Sequence, residues 1–389
     1  MRTRRRGAAP LPPGFGTIWA SVAVDLIGFG IVLPILPIYA ERFHATSLQA
    51  ALLLTAFSAA GFVFSPLLGR LSDRIGRRPV ILLSLAGTAA GSLMTGLAGG
   101  LPLLFVGRIV DGASGASVSV AQAAAADLSS PDDRSRLFGL LGAAFGVGFV
   151  AGPAIGALGA LGGARVPFYL AAGLAAVNTV VAWFRLPETR PPGAPMPDRA
   201  GPRWRDPAVV SAAPLLLVAF AAMMAFSGFE ATFSLFGQRH LGLGIGSSAA
   251  VFTGVGIVVV GVQGGLVHAV VRRFGEMRTL GSGLALNAVG LGVLAPARSW
   301  AVAAPALLLL TAGQGLVQTT MASALAGRAG PGQRGRVLGA QQSVSALARI
   351  AGPAAGGALL GARGSGATYV LGAALTGVAL LALFRNMNS

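Results

Sequence analysis

The sequence predicts an all-α membrane protein with twelve transmembrane helices arranged as two pseudo-symmetric six-helix bundles. Three observations predict this fold class: a composition too apolar for a soluble domain, twelve long apolar runs, and an internal repeat. The 389 residues are 54% hydrophobic and only 11% charged, whereas about a quarter of the residues in soluble domains are charged. A chain this apolar needs lipid as the solvent for most of its surface.

Each of the twelve runs is close to the roughly 20 residues that a helix needs to cross a bilayer. They lie near residues 15–39, 48–69, 79–98, 102–126, 137–160, 166–186, 211–236, 247–271, 279–296, 301–326, 337–361 and 366–384. None alternates like a strand of a membrane β-barrel, so helices must satisfy the backbone polar groups in hydrocarbon. The first run follows the basic stretch MRTRRRGAAP but leads to no convincing cleavage site, which predicts an uncleaved helix rather than a signal peptide.

The arginines predict the topology. All 29 basic residues are arginine; 22 fall on one side of the predicted membrane, 5 on the other, and Arg108 and Arg349 inside helices. Such a bias places both termini in the cytoplasm. The net charge of +17 is therefore a topology signal with some affinity for anionic lipid headgroups, and it does not indicate nucleic-acid binding.

A polar stretch and a repeat divide the chain into residues 1–186 and 208–389, each with six helices. Residues 187–207, rich in proline and arginine, are expected to form a cytoplasmic linker with little packed structure. PDDRSRLFGLLG at 131–142 matches PGQRGRVLGAQQ at 331–342, and AGPAIGA at 151–157 matches AGPAAGG at 351–357. One offset of about 200 residues indicates a duplicated unit, and parallel repeats of this kind place the substrate path at their interface.

Four motifs carry a resemblance to a known family. GRLSDRIGRRPV, between the second and third runs, fits the pattern G-x-x-x-D-R-x-G-R-R with Gly69, Asp73, Arg74, Gly76, Arg77 and Arg78. DLIGFGIVLPILP begins at Asp25, GRIVDGASGA contains Arg108 and Gly112, and GVGFVAGPAIG contains Gly148, Gly152, Pro153 and Gly156. In these motifs the chain resembles the major facilitator superfamily, and within it the drug:proton antiporters that include tetracycline and multidrug exporters.

The resemblance implies roles for several residues. Arg77 is expected to reach Asp127 at the foot of helix 4, and Arg108 to order the cavity and tune the acid of helix 1. The glycine-rich motif of helix 5 is associated with exporters rather than symporters. One departure is Gly91 in helix 3, where the tetracycline exporters carry an acidic residue, and this argues against tetracycline itself as the cargo.

Asp25 is the leading candidate for proton coupling. A charged carboxylate facing lipid costs at least a few kcal/mol, so Asp25 must face a cavity, be protonated or be paired; a structural helix–helix bond is the alternative. Glu230 in helix 7 is a second candidate, although a position at the outer rim is open. Asp111 follows Arg108 by three residues and shares its helical face, so we expect an internal pair.

The charged motif suggests a latch. The positive end of helix 11 would attract Asp73, and we hypothesise that Asp73, Arg77 and Asp127 latch the cytoplasmic side shut; the alternative is that these arginines only set topology. A weaker counterpart contains Arg272 and Glu276. Glycines spaced by four in helix 5 allow close approach of another helix, and Pro153 permits bending.

A weaker prediction concerns the substrate cavity. The candidate lining residues are Phe29, Gln122, Phe226, Phe233, Gln314, Gln318 and Gln341. The alternative is a structural role. Most of the polar side chains would then make interhelical hydrogen bonds worth about 0.6 kcal/mol each, and the aromatic side chains would contact the core or lipid.

The sequence thus predicts a monomeric, proton-coupled efflux antiporter that exports small amphipathic compounds or drugs by alternating access across the cytoplasmic (inner) membrane. The proton is the coupling ion, and neither a cofactor nor a metal is expected because cysteine is absent and the three histidines are scattered. The alternatives are a transporter of the same fold for a sugar, metabolite or natural product, and a non-transport membrane protein. An enzyme is not expected, since no nucleophile–base pair is evident and a lysine-free chain lacks the GxxxxGK[ST] phosphate loop.

Overall fold

A computed structural model describes residues 11–129, 133–190, 206–330, 333–364 and 366–388, and these ranges contain helices but no strands. The helices are α1 (Phe15–Val32), α2 (Leu36–Glu41), α3 (Ser47–Ile75), α4 (Arg77–Leu97), α5 (Leu101–Ser114), α6 (Ser117–Leu128), α7 (Arg134–Ala160), α8 (Val166–Arg185), α9 (Pro207–Leu241), α10 (Ile245–Gly261), α11 (Val267–Phe274), α12 (Glu276–Leu294), α13 (Trp300–Arg328), α14 (Arg334–Arg363) and α15 (Ala367–Asn388). Within the described ranges, 12 spans are long and apolar enough to cross a membrane, which agrees with the twelve predicted runs.

Three of the spans are interrupted. The first predicted run ends as α1 at Val32 and resumes as α2, with Pro34 in the gap and Pro37 in the first turn of α2; proline lacks the N–H that would continue the helix. The fourth span breaks between α5 and α6 at Gly115 and Ala116. The eighth span passes from α10 to α11 through a π-helix at Val262–Leu266. Apolar periodicity alone does not report such breaks.

The corner between α3 and α4 is a single residue. Gly76 has φ 103°, a conformation that glycine adopts without a steric penalty. Because α3 continues to Ile75, most of the predicted loop motif is helical. The corresponding corner of the second half, Gly275 between α11 and α12, has φ 79°. We call the end of the molecule that carries the Gly76 corner the Gly76 side.

The two most extensive contacts between the halves are those of α3 with α14 and of α7 with α10. Under the offset of about 200 residues α3 corresponds to α10 and α7 to α14, so the pairs are related as a parallel duplication requires. Residues 191–205 of the predicted linker lie outside the described ranges, and the division into 1–186 and 208–389 stays a prediction.

Among the described residues, one buried apolar cluster joins the two halves, and it lies at one end of the molecule. One buried cluster combines Ile31, Ile35 and Tyr39 of the first half with Phe229 and Phe236 of the second. Two further clusters, each confined to one half, fill the Gly76 side of the two bundles. The buried apolar packing described between the halves therefore lies at the end opposite the Gly76 side.

Glycines bring α1 and α7 into backbone contact. A Cβ atom at Gly152 would lie 2.6 Å from the Cα atom of Gly30, and one at Gly156 would lie 3.0 Å from the carbonyl oxygen of Ile31. In the second half a Cβ at Gly352 would lie 3.0 Å from the backbone nitrogen of Gly228. The expected close approach is present, and the partner helices are α1 and α9.

We predict that Gly152→Ala lowers stability, because the added methyl group meets backbone that cannot rotate away. Overpacking of this kind costs about 1–3 kcal/mol, so the melting temperature of the purified protein in detergent should fall. Gly139→Ala in the same helix is the matched control, since a Cβ there meets nothing within 4 Å. Equal melting temperatures for the two variants would contradict a backbone contact between α1 and α7.

Candidate functional site

Asp25 lies at a junction of helices α1, α4 and α6. Its Oδ2 atom accepts a hydrogen bond from Ser117 Oγ of α6 at 2.5 Å, and Thr88 of α4 lies beside it. The Oδ1 atom is buried and has no hydrogen-bond partner among the described residues, although the residue as a whole is partly exposed. One turn further along, a Cβ at Gly28 would meet nothing within 4 Å, so open space adjoins the acid.

A second acid extends this polar cluster. The Arg108 Nη1 atom lies 2.9 Å from Asp111 Oδ2, and Arg108 Nη2 donates to Thr95 Oγ1 at 3.0 Å. Arg108 is 2% and Asp111 6% exposed, so the predicted internal pair is present and desolvated. Thr88 lies beside Asp111 as well as Asp25. The acid of α1 is therefore linked to the Arg108–Asp111 pair through Thr88.

Gly91 of α4 is the position at which, by the resemblance, the tetracycline exporters carry an acidic residue. A Cβ atom there would lie 2.7 Å from the carbonyl oxygen of Gly107 and 2.8 Å from the backbone nitrogen of Asp111. The backbone of α5 thus occupies the space that a side chain would need. In this chain Thr88 and Thr95, one turn away on either side, supply the polar groups of α4 instead.

The charged motif forms a compact cluster at the Gly76 corner. Arg77 Nη1 lies 2.6 Å from Asp73 Oδ1, and Arg77 Nε lies 2.9 Å from Asp127 Oδ2. Arg77 and Asp73 are each 4% exposed, so this ion pair is buried. Arg74 is exposed to solvent, and Arg78 donates to the carbonyl oxygen of Trp183 at 2.5 Å.

Glu188 completes this cluster and was not predicted. Its Oε1 atom accepts from the backbone N–H of Arg77 at 2.9 Å, and its Oε2 atom accepts from that of Arg78 at 3.1 Å. A carboxylate on the first N–H groups of a helix satisfies donors without intrahelical partners and favours the helix dipole. A side chain at Gly76 would collide with this carboxylate, which is a second reason for glycine at the corner.

The expectation of a loosely structured linker over 187–207 was wrong at both ends. Glu188 caps α4, and Arg190 Nη1 lies 3.6 Å from Asp73 Oδ1. At the other end Asp206 accepts from the backbone N–H of Ala208 and lies 2.5 Å from Arg336 Nη1. The sequence carried a signal at Asp206, since an aspartate directly before a helix is a common N-cap, but none at Glu188, which caps a helix more than a hundred residues away.

The ion-pair partners described for Arg77 belong to the first half of the chain. Contacts between α3 and α14 lie towards the other end: Thr55 Oγ1 donates to the carbonyl oxygen of Ile350 at 3.3 Å, and a Cβ at Gly357 would lie 3.1 Å from Leu48 Cα. In the second half, Glu276 of the predicted counterpart to the charged motif accepts a hydrogen bond from Ser323 Oγ. The latch residues are assembled here, but no hydrogen bond or ion pair described for Arg77 joins the two halves.

Polar contacts close the opposite end across the two halves. Arg239 Nη2 of α9 lies 3.0 Å from Glu41 Oε1 of α2 and donates to Ser47 Oγ at 2.9 Å. Ser234 Oγ donates to the carbonyl oxygen of Pro34 at 2.6 Å. We call this end the Arg239 side, and these contacts hold it closed.

A cavity of about 340 Å³ lies within the second half, between α9, α13 and α14, with Phe145 of α7 on its wall. The predicted residues Gln314, Gln318 and Gln341 line it. Gln314 Oε1 accepts from Asn287 Nδ2 at 3.2 Å, and Gln318 Oε1 accepts from Gln263 Nε2 at 3.0 Å. Both glutamines are therefore held in position by neighbouring helices.

The other predicted cavity residues lie elsewhere. Phe226 and Phe233 are buried in the apolar cluster that closes the Arg239 side, because that end is packed shut. Phe29 packs on Phe57 with ring centroids 5.3 Å apart, and Gln122 is exposed.

Glu230 of α9 lies within electrostatic range of Arg349, a residue that lines this cavity from α14. Glu230 is partly exposed and lies seven residues after Met223, a lining residue of α9, so the two share a helical face. The charge that reaches Glu230 is that of Arg349, which lines the cavity from α14. The sequence analysis assigned no role to Arg349. An arginine in the middle of an apolar run is nevertheless a signal of a functional position.

Among the described residues, no group of three or more histidines or acids could hold a metal ion. The polar chemistry present is therefore that of carboxylates, guanidinium groups, hydroxyls and amides. Such groups can exchange protons and bind small molecules.

Comparison with known proteins places this arrangement in a family. The model of the Major Facilitator Superfamily matches residues 18–353. The tetracycline resistance protein, class C, of Escherichia coli is 34% identical over 384 residues, which are 95% of this chain and 96% of that protein. Multidrug resistance protein 2 of Bacillus subtilis (strain 168) is 29% identical over 68% of each chain.

The crystal structure of the human organic anion transporter MFSD10 (TETRAN) superposes with a TM-score of 0.70 at 26% identity, covering 95% of this chain and 98% of that one. The match spans both halves, and it confirms the predicted fold class. Membership of a family of transporters also confirms the expectation that the chain is not an enzyme. The chain belongs to the Major Facilitator Superfamily.

Proposed function

We propose that this protein exports small amphipathic drugs in exchange for protons by alternating access. The observation that carries the proposal is Asp25, a partly accessible carboxylate within a membrane span, with one oxygen bound by Ser117 and the other buried without a partner. A carboxylate so placed is costly as a fixed charge and suited to take up and release a proton. The names of the relatives, tetracycline resistance protein and multidrug resistance protein, support drugs as the cargo class.

The proposed cycle starts from the state described above. The arginine distribution predicts that the Gly76 side faces the cytoplasm, so the cavity is open for loading from the cytoplasm or inner leaflet. The halves then rock about the contacts of α3 with α14 and α7 with α10, opening the Arg239 side. There the drug leaves and Asp25 accepts a proton. A proton moving down 100 mV supplies about 2.3 kcal/mol.

The cluster of Asp73, Arg77 and Asp127 fits a latch that operates in the other half of the cycle. It is held as a unit within the first half, with Glu188 fixing the corner. When the Gly76 side closes, the N-terminus of α14 approaches this corner, and its positive dipole end would favour the Asp73 carboxylate. Gly91 argues against tetracycline itself, because α4 has no room there for an acidic side chain.

We predict that Asp25→Asn abolishes proton-driven export while leaving the protein folded. Asparagine keeps the size and hydrogen-bonding ability of the side chain but cannot carry a proton through the cycle. The measurement is uptake into everted membrane vesicles of a drug to which the wild-type chain confers resistance, driven by an imposed pH gradient.

Asp133→Asn is the control for this experiment, since Asp133 lies at the start of α7, outside the membrane-spanning cluster. It should retain wild-type uptake. Undiminished pH-driven uptake by Asp25→Asn would contradict the coupling role.

We also predict that Asp73→Asn slows transport without weakening drug binding. The substitution removes the buried ion pair with Arg77 and the charge that α14 would attract, but it leaves the cavity unchanged. Turnover in vesicles and drug affinity of the purified protein measure the two effects separately. Arg74→Gln, an exposed position in the same motif, should leave both unchanged, and an equal turnover for Asp73→Asn and wild type would contradict the latch.

A further inference from the structure

Arg349 differs from the other arginine found inside a membrane span. Arg108 is 2% exposed and lies 2.9 Å from the carboxylate of Asp111, so its charge is neutralised within the bundle. Arg349 is exposed and lines the cavity between α9, α13 and α14. Among the described residues, no carboxylate lies within 4.0 Å of its guanidinium group; Glu230 is near enough to act through its field but does not form an ion pair.

The cavity around Arg349 offers donors rather than acidic groups. Its polar lining consists of Gln314, Gln318, Gln341, Gln342 and Ser345, and Arg349 is the one ionisable residue among the described residues that line it. Gln314 and Gln318 use their Oε1 atoms to accept hydrogen bonds from Asn287 and Gln263. Their NH₂ groups are left to donate. A guanidinium group adds up to five N–H donors in a planar fork that matches a carboxylate or sulfonate.

The rest of the lining is apolar, and the size is that of a small-molecule site. Met223, Val317, Met321 and Phe145 contribute the apolar wall. The volume of about 340 Å³ falls within the roughly 300–1,000 Å³ of drug-sized pockets, in which a few placed polar groups fix the orientation of the ligand. Methionine side chains adapt to ligands of different shape. An amphipathic molecule with one anionic group would satisfy both parts of the lining.

The position of Arg349 in the span adds an energetic reason. It is the sixteenth residue of the 30-residue helix α14, so it sits near the middle of the span. Charged side chains at such depth are expensive and mark ligand or ion pathways. The energetic cost of a cation there that lacks an ion-pair partner is offset when a ligand supplies the negative charge.

We propose that Arg349 is the anion-binding residue of the cargo site, so that this protein carries small amphipathic organic anions, carboxylates or sulfonates, in the cavity of its second half. The proposal rests on the proposed function, because it assigns the cargo class of the same exporter. Arg349 binds the anionic group, the amides of α13 and α14 donate to it, and the apolar wall accepts the ring system.

Binding of three dansyl probes to the purified protein tests the proposal at equilibrium. Dansylglycine carries a carboxylate, dansylamide is neutral and dansylcadaverine is cationic, whereas the fluorophore is the same. Wild-type protein should bind dansylglycine about tenfold or more tightly than dansylamide, as expected for a hydrogen-bonded charge pair, and dansylcadaverine most weakly. Absence of a preference for the anion in wild-type protein would overturn the proposal.

Arg349→Gln should remove the preference and leave the affinity for dansylamide unchanged. Arg349→Lys keeps the charge without the planar fork and should retain part of the preference, which separates lost charge from lost folding. Arg363→Gln, at the far end of the same helix, is the matched control and should bind like wild type. An undiminished preference for dansylglycine in folded Arg349→Gln would overturn the assignment.

The result is independent of proton coupling. If Asp25→Asn still exports with a pH gradient, the coupling mechanism fails but the anion preference in detergent can stand. If wild-type protein exports drugs but binds the three probes equally, the anion site alone fails.

Discussion

The cost of placing acidic and basic side chains in hydrocarbon is the constraint on which the rest of this structure depends. Asp25, Asp111 and Arg108 are borne on α1 and α5, and Thr88 and Ser117 reach them from α4 and α6. Four helices must therefore converge at one depth to satisfy these groups. The N-terminal half is organised around this polar cluster, with apolar packing above and below it.

Backbone contact between helices is the second requirement. Gly30 and Gly152 let α1 and α7 touch, and Gly228 and Gly352 do the same for α9 and α14. Helices that meet through backbone rather than through interlocking side chains form smooth surfaces that can be moved as one body. The corner at Gly76, fixed by Glu188 and Arg77, would keep α3 and α4 together during such a movement.

The sequence predicted the twelve spans and the Arg108–Asp111 pair because each depends on local spacing, and the family resemblance implied the contact of Arg77 with Asp127 across 50 residues. It did not predict the cap formed by Glu188 or the contact of Arg239 with Glu41. Both join residues more than a hundred positions apart, and neither residue type is distinctive by itself. Phe226 and Phe233 were misplaced for a related reason: an aromatic stripe does not reveal which end of the molecule is packed shut.

Proton exchange at Asp25 is the central claim, and proton release on drug binding tests it most directly. Purified protein in weakly buffered detergent solution is mixed with a transported drug while a pH indicator records released protons. The account predicts release of about one proton by wild-type protein, and none by the Asp25→Asn variant that still binds the drug. Equal proton release by both proteins would contradict it.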